Sequence, residues 1–272
     1  MKILLNNNDL IEALPKSTNL GLVPTMGSLH KGHLSLIKRS LNDCAKTIVT
    51  IFVNPRQFND KLDYKRYPRN LKKDLLILKK EKIDYVFLPS IKDIYKPKSE
   101  NNLNIRLTNK DKILCARYRK GHFEGVLDVM DRFTKLIKPK KIFMGEKDFQ
   151  QFFLVKRFIE KKYNSKVIAC RTVRDKDKVA LSSRNKLLNK FELNKAKMIA
   201  KNIIAFKKKI TQNKNIKKII QIKKREIKEK FKIEIEYFEL RNVKNLKISN
   251  KIKGSKIFIA YNINKVRLID NF

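Results

Sequence analysis

Two hydrophobic patterns alternate along the first 174 residues. Continuous apolar runs rich in β-branched residues, such as KTIVTIFVNP at 46–55, are typical of strands covered on both faces. Segments such as GHLSLIKRSLNDC at 32–44 instead repeat apolar residues at helical spacing, here Leu34, Ile37 and Leu41. The predicted strands are 20–27, 46–55, 83–90, 140–148 with its final loop, and 165–174, and the predicted helices are 32–44, 71–82, 125–139 and 149–163. This alternation predicts an α/β fold, a Rossmann-like doubly wound parallel sheet with binding sites at the carboxyl ends of its strands.

The pattern changes after about residue 185. Two Lys-rich amphipathic helices are predicted at 191–210 and 216–231, and three strands follow them at 233–243, 255–263 and 264–272. Helices followed by strands, without alternation, favour a separate α+β domain. We therefore expect a Rossmann-like domain at 1–172 and a smaller C-terminal α+β domain at 173–272.

The charge of the chain is extreme. It has 66 Lys and Arg against 26 Asp and Glu, a formal net charge of +40. Such an excess suits a polyanionic partner such as nucleic acid. The excess is largely Lys, however, is spread along the whole chain and accompanies abundant Asn and Ile. A/T-rich codons encode all three residues, so a biased genome explains the charge, and we do not expect a nucleic-acid partner.

Cysteines and apolar runs indicate the compartment. Cys44, Cys115 and Cys170 are far apart and form no CxxC or zinc-like cluster. An odd, low count suits a reducing cytosol. The N-terminal segment MKILLNNNDLIEAL lacks a signal peptide's apolar core and cleavage site. No run approaches the ~18 apolar residues of a membrane span. We expect a soluble cytoplasmic protein with no membrane partner.

The stretch PTMGSLHKGHLSLIK at 24–38 carries the first chemical signal. Two of the three histidines, His30 and His33, lie where a predicted strand passes through a loop into a helix. Such a junction directs free backbone N–H groups and the positive end of the helix dipole at an anion. Gly27 and Gly32 would let phosphate approach the backbone, and the imidazoles would supply hydrogen bonds or protons. Alternatively, one His caps the helix while the other fills core space.

The H-x-G-H order at this junction resembles the signature of the HIGH-type nucleotidyltransferases, in which both histidines act on ATP phosphates. Zinc is not supported, because no third ligand is in view. Farther along, IFVNPRQF at 51–58 places Asn54 and Gln57 just past a buried strand. Their amides both donate and accept, so they could hold a small polar substrate. Taken alone, however, this motif is better explained by an ordinary polar turn around Pro55.

Four further motifs follow in order: YPRNLKKD at 67–74, RKGHFEGV at 119–126, GEKDFQQ at 145–151 and RTVRDKDKVALSSRN at 171–185. Together with PTMGSLHKGH and the ending VRLIDN, they resemble the pantothenate synthetase (pantoate–β-alanine ligase) family over almost the whole chain. The resemblance implies a ligase, dependent on ATP and Mg2+, that joins pantoate to β-alanine through a pantoyl adenylate and releases AMP and pyrophosphate. It also implies a homodimer.

The resemblance assigns ATP-binding positions. They are Met26, Gly27, Ser28, Leu29, His30, Lys31, Gly32, His33, Gly145, Glu146, Lys147, Asp148, Val173, Leu181, Ser182, Ser183 and Arg184. His33 would occupy the proton-donor position with His30 beside it, and Lys147 would place a catalytic positive charge near the phosphates. Asp148 would orient nucleoside hydroxyls and Val173 would lie near adenine. The hydroxyls and guanidinium at 182–184, in a mobile segment of a C-terminal lid domain, would suit pyrophosphate.

The resemblance also suggests contacts for the acid substrates. Gln57 would touch both pantoate and β-alanine, and Gln151 would touch pantoate, while Asn54 is a further candidate for substrate binding. Asp74 is a weak candidate for magnesium, because family members carry neighbouring acidic residues where this chain has two lysines. Magnesium would then depend mainly on phosphates and water.

Two departures from the family pattern affect loops. Lys178 stands where the family usually has Gly, and Lys120 stands where Pro is frequent. If the first position needs a positive φ, Lys178 would add strain and slow loop closure. Arg119 and His122 match a segment near pantoate, in which we expect His122 to be structural.

Two rival functions fit parts of the sequence. An adenylyltransferase or tRNA synthetase fragment would share the histidine loop, but a synthetase needs a KMSKS-like segment where this chain has LSSRN. A basic nucleic-acid-binding protein on a retired enzyme fold would need aromatic residues interleaved on a basic surface. Scattered Lys and the absence of Trp do not favour it.

Overall fold

The computed structural model of the chain describes residues 1–14, 19–95, 105–210 and 215–272. These residues form two compact units, Met1–Arg171 and Thr172–Phe272. The boundary between the units lies one residue before the domain boundary expected from the sequence.

The first unit alternates strands and helices. Its elements are β1 (Lys2–Leu4), α1 (Asn7–Ala13), β2 (Leu20–Thr25), α2 (Lys31–Asp43), β3 (Lys46–Ile51), a 3-10 turn (Pro55–Gln57), α3 (Lys61–Arg66), α4 (Leu71–Lys80), β4 (Tyr85–Phe87), α5 (Ile91–Ile94), α6 (Cys115–Tyr118), α7 (His122–Ile137), β5 (Lys141–Gly145), a 3-10 turn (Glu146–Asp148), α8 (Phe149–Lys162) and β6 (Lys166–Cys170).

These six strands form one parallel sheet in the order β1-β4-β3-β2-β5-β6. β2 and β3 pair from Leu20 opposite Lys46 to Thr25 opposite Ile51. Their central apolar side chains are completely buried, which explains why the strands are almost continuously hydrophobic. From β2 the chain builds outward to β3 and β4, then returns to place β5 on the other side of β2. The loops after β2 and β5 therefore flank the switch point of the sheet, where α/β proteins bind ligands.

The second unit packs helices on a small antiparallel sheet. A 3-10 turn (Ser183–Leu187) precedes α9 (Lys190–Lys209) and α10 (Ile216–Phe231), and the strands are β7 (Glu234–Asn242), β8 (Ser255–Ile263) and β9 (Val266–Asn271), in the order β7-β8-β9. Ile203 of α9 and Ile227 of α10 are completely buried in one cluster with Ile257 and Ile259 of β8. The apolar stripes of the Lys-rich helices thus cover one face of this sheet.

The prediction of a parallel α/β sheet with a smaller α+β part is confirmed. The differences lie in short elements. The sequence did not predict β1, a three-residue edge strand beside β4, nor the short helices α1, α3, α5 and α6. Among the described residues, no helix combines the length and apolar character needed to cross a membrane.

Candidate active site

The loop between β2 and α2 has an unusual backbone. Gly27 and Ser28 both have positive φ, 77° and 52°, a conformation that glycine adopts freely and other residues adopt at a cost. Asp74, on the first turn of α4, holds this conformation. Its carboxylate oxygens accept hydrogen bonds from the N–H groups of Ser28 at 2.7 Å and Leu29 at 2.8 Å. Asp74 is only 2% exposed, so water does not compete for these bonds.

The two histidines of the loop start helix α2. Nδ1 of His30 accepts the N–H of Gly32 at 3.1 Å, and Nδ1 of His33 accepts the N–H of His30 at 3.3 Å. This reciprocal capping box satisfies backbone donors of the first turn. The rings stack with their centroids 4.0 Å apart. Since each Nδ1 accepts a hydrogen bond, a neutral ring carries its proton on Nε2.

The loop is not a cradle of unpaired backbone N–H groups. The four N–H groups just described donate to side chains of the chain itself, and the N–H of Gly27 donates to Oγ1 of Thr25 at 3.2 Å. The expectation that these groups are free for a phosphate is therefore wrong. The strand-loop-helix pattern shows where such groups lie but not which side chains accept them.

Asn54 lies where β3 runs into the following 3-10 turn and is completely engaged. Its Nδ2 donates to Oε1 of Gln57 at 3.1 Å and to the carbonyl of Gly125 at 3.0 Å. Its Oδ1 accepts the N–H of Arg56 at 3.1 Å and the hydroxyl of Tyr95 at 2.8 Å. Both hydrogens and both lone pairs of the amide are thus used. The structure places Asn54 behind Gln57 as an orienting group, and its direct contact with substrate stays a prediction.

Gln57 links this turn to the histidine loop. Its Nε2 donates to Sδ of Met26 at 2.9 Å, and its carbonyl lies 2.7 Å from Nδ1 of His122. Nε2 of His122 is 2.9 Å from Nη1 of Arg119. A guanidinium only donates, so Nε2 accepts and Nδ1–H donates to the Gln57 carbonyl. His122 is thus a buried ring that fixes the backbone of Gln57, in agreement with the structural role expected for it.

Gly125 lets helix α7 lie directly against this turn. A Cβ there would be 2.2 Å from the carbonyl oxygen of Arg56 and 2.8 Å from the nitrogen of Gln57. No side chain fits against the backbone at those distances. This close approach places the Gly125 carbonyl where the amide of Asn54 donates to it.

Tyr95 completes the network and was not singled out in the sequence. Its ring centroid lies 4.0 Å from the guanidinium of Arg56 and 4.9 Å from that of Arg132. Both arginines also pair with Asp128, at 2.8 and 2.7 Å. Burial, together with the charge of Asp128, raises the pKa of Tyr95 well above its ordinary value. The hydroxyl therefore stays protonated and donates to Asn54.

The turn after β5 carries the second predicted ATP loop. Gly145 ends β5, and Glu146 opens the 3-10 turn that leads into α8. Nζ of Lys147 donates to Oδ1 of Asp148 at 3.1 Å. In this pair the side chain of Asp148 is 46% exposed and that of Lys147 is 17% exposed. Because β5 neighbours β2, this turn and the histidine loop share one edge of the sheet.

Gln151 lies on the first turn of α8 and is partly exposed. The preceding residue, Gln150, is buried, and its Nε2 donates to the carbonyls of Asp111 at 3.1 Å and Ile113 at 2.8 Å. The two adjacent glutamines therefore differ in role. Gln150 ties the helix to an earlier loop, and the predicted contact of Gln151 with pantoate stays a prediction.

In the second unit, Lys178 occupies a tight turn with φ of 74°. Its N–H donates to the carbonyl of Asp175 at 3.0 Å. The turn therefore has the positive φ at which a residue other than glycine is strained. The neighbouring Asp177 pairs with Lys201 at 2.8 Å and Lys197 at 3.0 Å. Hydrogen bonds from these two lysines lower the pKa of Asp177 to about 2.

The predicted pyrophosphate segment follows this turn. The N–H of Leu181 donates to the carbonyl of Val173 at 3.0 Å, which joins two of the predicted ATP positions. Oγ of Ser182 accepts the N–H of Arg184 at 3.3 Å and begins the 3-10 turn. Ser183 is only 5% exposed. Backbone hydrogen bonds thus shape this segment, and its binding of phosphate stays a prediction.

The described residues do not fit a protein-held magnesium ion. No group of three or more His, Cys, Asp or Glu side chains among them could hold a metal. Both oxygens of Asp74, the one carboxylate proposed for this role, accept backbone N–H groups. Magnesium brought by ATP phosphates stays a prediction.

The chain is similar to known proteins over almost its whole length. The family model described as pantoate-beta-alanine ligase matches residues 4–272. A pantothenate synthetase of Pseudothermotoga lettingae is 39% identical over 95% of this chain and 92% of its own length. One of Flavobacterium psychrophilum is 37% identical over 95% of this chain and 93% of its own length.

Solved structures are similar as well. The pantothenate synthetase of Thermus thermophilus is 29% identical, has a TM-score of 0.93, and matches over 100% of this chain and 99% of its own. The pantoate-beta-alanine ligase of Francisella tularensis, complexed with beta-gamma ATP and beta-alanine, is 36% identical with a TM-score of 0.82, over 100% of this chain and 97% of its own.

Proposed function

Because the chain belongs to the pantoate–β-alanine ligase family and is a ligase, we propose that it condenses pantoate with β-alanine at the expense of ATP, through a pantoyl adenylate. AMP and pyrophosphate are the other products. One observation carries the proposal: two stacked imidazoles, each with its proton on Nε2 when neutral, lie at the start of α2, in the loop whose Met26 accepts a hydrogen bond from Gln57.

In the first step, a carboxylate oxygen of pantoate attacks the α-phosphorus of ATP, and pyrophosphate leaves. Negative charge builds on oxygens of the phosphate chain. The Nε2–H groups of His30 and His33 donate hydrogen bonds to them, and the fixed Nδ1 contacts hold the rings in place beforehand. Lys147, on the neighbouring turn, supplies a positive charge. Magnesium supplies Lewis acidity when it is bound with ATP.

In the second step, the amine of β-alanine attacks the acyl carbon. AMP leaves with one former carboxylate oxygen, and the positively charged nitrogen gives its extra proton to solvent water. Gln57 suits both acid substrates, since its amide keeps one hydrogen and one lone pair beyond its bonds to Asn54 and Met26. Val173 and the segment 181–184 are proposed as further contacts for ATP.

The first experiment measures AMP release with ATP, magnesium and pantoate, with and without β-alanine. We expect steady AMP and pantothenate formation only with both acids. With 18O in the pantoate carboxylate, label in AMP reports the adenylate. Unlabelled AMP would contradict this intermediate, and no AMP from folded, ATP-binding protein would contradict the proposed reaction.

A matched pair of variants tests His33. In His33→Asn, the amide oxygen can replace Nδ1 as acceptor for the His30 N–H while the Nε2 donor is lost. His33→Ala removes both. We expect each to lower kcat by about 10²–10³-fold, the effect of removing one hydrogen-bond donor to developing charge, and only the Ala variant to lose about 1 kcal/mol of helix capping as well. Full activity in either variant would refute the role of His33.

A homodimer and a cytoplasmic location are further predictions that rest on the family and the sequence. Light scattering on the purified protein measures the first. Salt-dependent RNA binding without ATP turnover would instead favour the nucleic-acid alternative.

A further inference from the structure

We propose that Asp74 is a positioning residue for the histidine loop rather than a ligand for magnesium. The inference rests on the proposed function, because that function makes this loop the phosphate site. Asp74 lies on α4, far along the chain from the loop, yet its two oxygens accept two consecutive loop N–H groups, at 2.7 and 2.8 Å. The residue is 2% exposed.

The contact leaves the loop little freedom. A Cβ on Gly27 would lie 3.0 Å from Oδ2 of Asp74 and 3.1 Å from Cγ2 of Ile51. Ser28 holds a positive φ of 52° without being glycine, so its conformation needs support from its surroundings. The carboxylate of Asp74 supplies that support, because it accepts the Ser28 N–H in a hydrogen bond whose acceptor is charged.

The carboxylate is itself fixed by α4. Oδ1 of Asn70 caps the helix by accepting the N–H of Lys73 at 3.1 Å, and the N–H of Asp74 donates to the carbonyl of Asn70 at 3.0 Å. The positive end of the helix dipole stabilises a negative charge on this first turn. A well-anchored anion thus sets the position of Leu29, the residue immediately before His30.

The surroundings of Asp74 do not suit a role as a metal ligand. Lys72 and Lys73 are exposed beside Asp74, so the chain offers no second carboxylate there. An oxygen of Asp74 that turned to magnesium would leave a buried backbone N–H without its partner. The geometry favours Asp74 acting through the loop, by holding the two imidazoles where they meet the phosphates.

The test compares Asp74→Asn with Asp84→Asn. Asp84 is a matched carboxylate at the opposite end of the sheet, where it accepts the N–H of Thr47 at 2.8 Å and Nζ of Lys46 at 2.7 Å. Three quantities are measured on the full chain: hydrogen exchange of the amides at 27–30, the KM for ATP with kcat, and the magnesium concentration for half-maximal rate. Exchange and ATP binding are also measured without the acid substrates, so they stay informative even if the proposed reaction fails.

In Asp74→Asn, an NH2 group replaces one acceptor and faces a backbone donor. We expect faster loop exchange and a fall of about 10- to 100-fold in kcat/KM for ATP, the effect of one lost hydrogen bond to a charged group. The magnesium requirement should not change, and Asp84→Asn should change neither loop exchange nor kinetics. Asp74→Glu keeps the charge but displaces it, so it should not restore activity.

Two results would overturn the proposal. One is a magnesium requirement raised about tenfold with unchanged loop exchange, which indicates a metal ligand. The other is faster loop exchange with kinetics equal to those of Asp84→Asn, which indicates a purely structural contact. If Asp74→Asn does not fold, Gly27→Ala perturbs the same contact from the loop side and is judged by the same criteria.

Discussion

Replacing Tyr95 by Phe tests whether the network behind Gln57 controls substrate binding. The change removes only the hydroxyl that donates to Oδ1 of Asn54 at 2.8 Å. The ring remains, and with it the contacts of the Arg56 and Arg132 guanidinium groups with the ring. Asn54 then loses one of the four contacts that fix its amide.

The structure sets the size of the effect. A neutral hydrogen bond within the protein contributes about 0.5–1.5 kcal/mol to stability. Oδ1 of Asn54 keeps the N–H of Arg56 at 3.1 Å and is not left without a partner, so we expect a loss of about 1 kcal/mol or less. An amide held by three contacts instead of four fixes Oε1 of Gln57 less firmly. We expect the KM values for pantoate and β-alanine to rise about 3- to 10-fold, and the KM for ATP to stay unchanged.

Tyr163→Phe is the matched control. Tyr163 donates its hydroxyl to Oδ1 of Asp131 at 2.9 Å in the same unit, and neither residue belongs to the Gln57 network. Urea unfolding gives the stability of both variants, and steady-state kinetics give the three KM values. Tyr163→Phe should lose stability without a change in any KM. If Tyr95→Phe behaves in the same way, the idea that Tyr95 orients Gln57 is refuted.

Three further predictions concern backbone and charge. Lys178→Gly should stabilise the protein by about 0.5–1 kcal/mol, because the turn needs a positive φ; calorimetry that shows no gain would contradict the strain. Gly125→Ala should destabilise it by more than about 2 kcal/mol in urea unfolding, because its Cβ would lie 2.2 Å from a backbone carbonyl oxygen. Asp177→Asn should lower Tm at neutral pH. In the folded protein the pKa of Asp177 is lowered from 3.8 to about 2. Its contribution to stability is therefore fully present above pH 3.8 and is lost as the pH falls through about 2. The Tm difference between the variant and the protein without the substitution should shrink over that range. A difference independent of pH would exclude the ion pairs as its source.

Long periodic segments were predictable from sequence, because a strand that is buried on both faces must be almost continuously apolar, and that pattern is visible in the sequence. β2, β3, α2 and α8 lie close to their predicted ranges. β1 was not predicted, since three residues are too few for a period and its partner strand β4 lies about 80 residues away. Pairing over such a separation depends on tertiary contacts that local sequence does not encode.

The site residues also differ in how far sequence alone predicts their positions and roles. The positions of His30 and His33 follow from a local strand-loop-helix pattern, and the structure places them at such a junction. Asp74 and Tyr95 are different, because their roles depend on partners 45 and 41 residues away along the chain. Nothing in the residues around Tyr95 indicates that its hydroxyl reaches Asn54. Long-range hydrogen bonds between polar side chains have no period by which sequence alone could find them.

The hydrogen bonds that the two histidines accept at Nδ1 also limit which protons their rings can gain or lose. A second proton on either ring would have to occupy Nδ1 and would break the bond that starts helix α2. A neutral ring that gave up its Nε2 proton would become a strongly basic imidazolate, so in the proposed reaction each ring would donate a hydrogen bond from Nε2 and keep its proton. The loop would then begin and end each turnover in the same protonation state. The protons released in the proposed reaction would come from the ammonium group of β-alanine, and the histidine loop would need no path for protons from the solvent.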